Sequence, residues 1–162
     1  MEEVVADAVR KIQRRFPDFR IATEFADEIL ILPMEPMLIM QVVVNLLENA
    51  IRHSGDKEHI RVAVSKEQDK EQMYAVVSVT DRGKGLKEET IERIKKGQQL
   101  NTNQSGDSTR GMGIGLSVCQ SIIKAHEGFF EVKNREGGGA EFRFGLPMED
   151  MTDENNDTDC GR

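Results

Sequence analysis

Cysteine is scarce in this sequence: 162 residues contain two, Cys119 and Cys160. One falls in an apolar helical pattern and the other near the C-terminal end, so they offer neither a disulfide framework nor a metal-ligand spacing. A reducing cytoplasm is the expected setting. Long hydrophobic runs are missing as well. The uncharged run PMLIMQVVVNLL from Pro36 has twelve residues, where a membrane-spanning helix takes about 20. The opening EEVVADAVRKIQRRF begins with two glutamates where a signal peptide begins with basic residues. The chain as given is therefore expected to be soluble, and its start inside an amphipathic pattern suggests a piece of something longer. Excess positive charge is also lacking. The formal charge is −7, of which the last fifteen residues, with six acids and one Arg, account for −5. A body near neutrality has no basic patch for nucleic acid, and the acidic end reads as a solvated tail. The expected organisation is one domain over 1–147 and a disordered acidic tail over 148–162.

What is present is periodic. Val4, Val5, Ala8, Val9 and Ile12 predict a helix over 2–15 that stops at Phe16-Pro17. FRIATEF alternates over 19–25 and EILIL follows, which predicts two short strands. A second helix is predicted over 36–53, ending at Ser54-Gly55. HIRVAV and MYAVVSV read as strands joined by the charged hairpin KEQDKEQ, and the second runs directly into Asp81. From Lys96 to Arg110, KGQQLNTNQSGDSTR has one large apolar side chain in fifteen residues, the composition of a lid or binding loop. A helix is expected from Ile114 to His126, then GFFEVKN and AEFRFGLP as closing strands around Gly137–Gly139. Strands and helices interleave without regular βαβ alternation. The predicted fold is a two-layer α/β sandwich with a mixed, mostly antiparallel sheet covered on one face by helices.

The segment NLLENAIRH, 45–53, carries the first chemical signal. In the 36–53 helix, Gln41, Asn45, Glu48, Asn49 and Arg52 share one face, while Leu38, Val42, Val43, Leu46, Leu47, Ala50 and Ile51 cover most of the rest. An Asn oxygen can complete a Mg²⁺ shell made otherwise of phosphate oxygens and waters, and an Arg one turn on can meet a phosphate. The plainer alternative is a stripe satisfied by neighbouring backbone. Asp81, at the end of an apolar strand, needs hydrogen-bond partners if buried, and an adenine amino group could be one; it could equally be a turn-initiating Asp before glycine. Glycines cluster at Gly83 and Gly85, at Gly111, Gly113 and Gly115, and at 137–139. The second cluster precedes a helix, where free backbone N–H groups bind phosphate; tight packing at a helix start is the competing reading. A dinucleotide fingerprint fits less well, because GMGIGL follows a polar loop where a Rossmann turn follows a strand.

Taken in order, N-L-L-E-N-A-I-R-H, D-x-G-x-G, G-x-G-x-G-L and a glycine pair before a final strand resemble the ATP-binding domain of sensor histidine kinases over roughly residues 2–147. That family shares its fold with DNA gyrase, mismatch-repair ATPases and a heat-shock chaperone. The run ending NREGGG further resembles the potassium-sensing kinases of bacteria. The resemblance implies that ATP and Mg²⁺ are the cofactors, with Asn49 as the metal ligand, and that Arg52 stands where a phosphate-contacting Lys is usual. It places His53 at an aromatic that packs on the nucleotide, Asp81 on the adenine amino group, and Gly83 and Gly85 in that wall. It assigns Gly111, Gly113 and Gly115, preceded by Arg110, to the phosphate-side loop, with Leu116 starting the helix behind. Asn45 is counted with the nucleotide contacts, and stands where the hydrolytic relatives have a general-base Glu.

The implied activity is donation of the γ-phosphoryl group to a histidine on a separate dimerisation domain, with a response regulator as the indirect partner. Such a chain is the cytoplasmic part of a membrane-bound sensor, not an autokinase alone. His53, His59 and His126 are the only histidines, and none has the setting of a phosphoacceptor. A serine kinase that binds an anti-sigma partner and a nucleotide-binding interaction module are the rival readings; Asn45 in place of Glu argues against the former. Three departures stand out: no Phe between Phe25 and Phe129, so that IERIKKGQ replaces an expected aromatic box; Ala140 where Thr often follows the glycines; and Glu127 in place of Gly after His126. Glu48 is expected to orient Arg52 at i+4.

Overall fold

The computed structural model describes residues 1–55, 57–97 and 112–149, and for 112–114 only the backbone. The expected lid over 96–110 and the acidic tail therefore fall almost wholly outside the described residues.

Helix α1 spans Glu2–Arg15, with two glutamates in its first turn and two arginines in its last, the arrangement its dipole favours. Strand β1, Ile21–Glu24, follows. Helix α2 spans Pro36–Ser54, begins with Pro at its first position and stops at Gly55, which takes the left-handed conformation at φ 63°. Strands β2, Ile60–Asp69, and β3, Gln72–Thr80, form a hairpin. Helix α3, Glu88–Lys95, helix α4, Met112–Ala125, and strands β4, Phe129–Asn134, and β5, Ala140–Pro147, complete the order.

The five strands form one sheet in the order β1-β2-β3-β5-β4, with β1 parallel to β2 and every other pair antiparallel. The mixed, mostly antiparallel α/β sandwich read from the sequence is thus the observed fold. Register lines up the apolar residues in rows across the sheet: Val62, Val79, Phe142 and Val132 form one, and Val64, Val77, Phe144 and Phe130 the next. These residues join Val5, Ala8 and Ile12 of α1, Val43, Leu46 and Leu47 of α2, and Leu116, Cys119 and Ile123 of α4 in one core. Helix α2 packs against both α1 and α4 and rests on β2 and β3. On the other face the Phe129 ring lies over Gly145, where a Cβ would be 2.2 Å from it, and meets Tyr74 edge-on at 5.2 Å. No helix among the described residues is long and apolar enough to cross a membrane.

Two expectations are corrected. EILIL is not a strand: Leu30 is buried with Ile29 and Ile31 81% and 83% exposed, so the alternation is real, but the Leu30 backbone bonds elsewhere. Its carbonyl accepts from the Met1 amino group at 2.9 Å, and its N–H donates to Glu2 Oε1 at 3.1 Å. The charged hairpin is mostly strand, since Asp69 pairs with Gln72 across a two-residue turn containing Lys70 at φ 55°. The sequence IERIKKGQ contributes to a helix, α3, which buries Ile91 and Ile94 without any aromatic. Beyond Pro147, Met148 still donates its N–H to Met73 O at 2.8 Å, one residue past the expected domain end.

Candidate functional site

Strand β3 delivers Asp81 into the interior, where it is 3% exposed. Its Oδ1 accepts from Gly83 N at 2.7 Å and from Ala140 N at 3.3 Å, and its carbonyl accepts from Arg135 Nη1 at 3.0 Å. The glycines around it are steric requirements. A Cβ on Gly139, at φ 89°, would lie 2.0 Å from Asp81 O, and one on Gly83 would lie 2.2 Å from His53 O. The turn after β3 therefore sits directly on the C-terminal end of α2. Gly85, at φ 72°, is held in the same way, because Asn134 brackets the next residue: Leu86 N donates to Asn134 Oδ1 and Asn134 Nδ2 donates to Leu86 O, both at 2.7 Å. Asn134 and Arg135 are quoted within NREGGG in the sequence reading but receive no role at the site there. Their position between a strand and the glycine run 137–139 was the available signal.

Helix α2 presents Asn49 and His53 one turn apart beside this wall. Asn49 is 6% exposed, and its Nδ2 is buried with no hydrogen-bond partner; His53 Nε2 is in the same condition. Unpaired buried polar atoms are costly and rare. Two on consecutive turns of one helix, beside Asp81, make this the candidate site. Burial pushes the His53 pKa down, the Arg52 charge adds to that, and the Asp81 carboxylate opposes it. His53 is thus biased toward the neutral imidazole.

The rest of the polar stripe divides. Gln41 and Arg52 are exposed, and Asn45 is half-buried toward α4. Asn45 Nδ2 donates to Cys119 Sγ at 3.7 Å, and Gly115 lies against the same amide, with room for a Cβ at 3.9 Å. Glu48 does not orient Arg52: it pairs with Arg15 Nη1 on α1. The neighbouring helix supplies a guanidinium that an isolated-helix argument could not anticipate. The glycine loop is corrected too. Gly113, Gly115 and Leu116 already lie within α4, which begins at Met112, so the helix starts before Leu116. Arg110 and Gly111 lie outside the described residues.

The donor set suits Mg²⁺. Among the described residues no cluster of three or more His, Cys, Asp or Glu could hold a metal ion. A metal here would take an Asn oxygen together with phosphate oxygens and water, the manner in which Mg²⁺ is usually held. The buried, incompletely paired amide of Asn49 fits that role, since amide N and O are interchangeable in shape.

Comparison with known proteins identifies the family and the fold. The family described as Histidine kinase-, DNA gyrase B-, and HSP90-like ATPase matches residues 34–150. The chain is 35% identical over 150 residues to the Sensor protein KdpD of Clostridium acetobutylicum, covering 92% of this chain and 16% of that protein. It is 34% identical over 110 residues to the Adaptive-response sensory kinase SasA of Prochlorococcus marinus, covering 68% and 28%. The chain thus spans less than a third of either relative. Among solved structures, the catalytic domain of histidine kinase ThkA superposes with a TM-score of 0.68 at 28% identity, covering 91% of each chain. Full-length ShkA in complex with AMPPNP shares the fold at a TM-score of 0.72 and 22% identity, over 90% of this chain and 29% of that one. By sequence and by fold, the chain belongs to the histidine kinase-, DNA gyrase B- and HSP90-like ATPase family.

Proposed function

We propose that this chain binds Mg²⁺-ATP between α2, the 81–86 turn and the start of α4, as the ATP-binding unit of a sensor histidine kinase. The observation that carries the reading is the pair of orphaned nitrogens, Asn49 Nδ2 and His53 Nε2, beside a buried Asp81 held by two backbone donors. Asp81 accepts from the adenine amino group, with Gly83 and Gly85 as its wall. Asn49 holds the metal, Arg52 meets phosphate from its exposed position, and the first turn of α4 turns its free N–H groups toward the same charge. Bound there, ATP supplies a γ-phosphoryl group, and the acceptor is a histidine on a helical dimerisation domain outside this chain.

Calorimetry tests the binding step. Heat of binding is expected for ATP with Mg²⁺ at millimolar ligand or below; none from a folded sample would overturn the reading. Incubation with ATP and a matching histidine-bearing dimerisation domain tests the transfer, with an acid-labile phosphohistidine as the expected product.

A further inference from the structure

Cys119 lies on α4, away from the stripe that marked the site in the sequence, yet it touches that stripe. Its Sγ accepts from Asn45 Nδ2 at 3.7 Å and donates to Val42 O at 3.9 Å. A thiol has one hydrogen, so a sulfur that gives it to Val42 O can only accept from its second neighbour. Asn45 must then point its NH₂ at the sulfur and turn its Oδ1 away from Cys119. Val42 precedes Asn45 by one helical turn, so the relay runs from the α2 backbone through α4 and back to an α2 side chain.

We propose that Cys119 is a positioning residue that fixes the orientation of the Asn45 amide, so that an oxygen and not an NH₂ group faces the nucleotide phosphates and their metal. The proposal rests on the nucleotide-binding reading above. An NH₂ turned toward a hydrated cation repels it, whereas an oxygen can accept from a metal-bound water. Burial supports the arrangement by pushing the thiol pKa up to about 11, so the thiol keeps its hydrogen at neutral pH. Gly115 of α4 adjoins the same amide, since the nearest atoms to a Cβ placed there belong to Asn45.

The test compares Cys119→Ser, which retains one donor and two acceptor sites, with Cys119→Val and Cys119→Ala, which retain neither. ATP affinity is measured by calorimetry with Mg²⁺ and with EDTA, and thermal stability alongside. Loss of an orienting contact behind a metal or phosphate ligand is expected to weaken Mg²⁺-ATP binding by about tenfold in the Val and Ala variants, with Ser within about twofold of the parent and smaller differences in EDTA. A packing role alone gives the reverse order, with Val tolerated and the buried hydroxyl of Ser damaging. Unchanged Mg²⁺-ATP affinity in Val and Ala, or equal loss in Ser, would overturn the proposal. NMR of the ligand-free chain separates this outcome from failure of the nucleotide reading: an Overhauser contact between the Asn45 side-chain NH₂ and the Cys119 β-protons is expected, and its absence sinks the relay whether or not ATP binds.

Discussion

Asp81, Gly83 and His53 show how tightly single residues determine this site. Asp81→Asn retains an oxygen for Gly83 N and Ala140 N, so the fold is expected to survive, but it puts an ambiguous amide where the proposed function places the adenine amino group. Hydrogen bonds to charged groups are worth about 1.5–3 kcal/mol, so ATP affinity is expected to fall roughly tenfold or more and the preference over GTP to shrink; calorimetry with both nucleotides reads this. Gly83→Ala forces a Cβ onto the His53 carbonyl and is expected to cost about 1–3 kcal/mol in a urea titration. His53 gives a pH dependence. Its folded pKa lies below the ordinary 6.5, so the unfolded chain takes up the proton first as pH falls. Stability contributed by the neutral ring is therefore present above pH 6.5 and is lost as pH drops through the folded value. His53→Phe is expected to flatten the stability profile below pH 6.5. The types and spacing of these residues were legible in the sequence; which atoms lack partners was not, because that depends on packing from α2, β3 and β5 together.

Helices and turns divide along the same line. Helix α2 was legible over nearly its whole length, since Pro36 and Gly55 punctuate a long periodic run. Helix α3 was not, because eight residues with two inward isoleucines carry too little periodicity to stand out. The end of α4 is marked by Glu127 at φ 58°, a left-handed conformation that glycine adopts at no steric cost. Replacing Glu127 with Gly is expected to stabilise the protein by about 1 kcal/mol, read as a higher urea midpoint with an unchanged slope. The neighbouring Gly128 tolerates no such exchange in the other direction, since a Cβ there would lie 2.3 Å from Gly145 O.

For the whole molecule, the question is whether ATP bound here is spent on water. Asn45 offers an amide where a base would be needed, and general-base assistance is typically worth about 10²–10⁴-fold. Glu48, the remaining carboxylate of the stripe, is engaged by Arg15 of α1. The isolated chain is therefore expected to hydrolyse ATP slowly and to leave its own histidines unphosphorylated, as a steady-state phosphate-release assay would record. Fast release abolished by Glu48→Gln would reverse that reading. The sequence by itself determined the fold class and the family, and it nominated the residues of the candidate site, because hydrophobic periodicity and glycine spacing are local and survive without coordinates. Tertiary structure alone decided that Glu48 turns to α1, that Leu30 is tied to the N-terminus, and that Cys119 meets Asn45. Each of these pairs residues 28 to 74 positions apart, and only the folded chain sets which polar group meets which across such a separation.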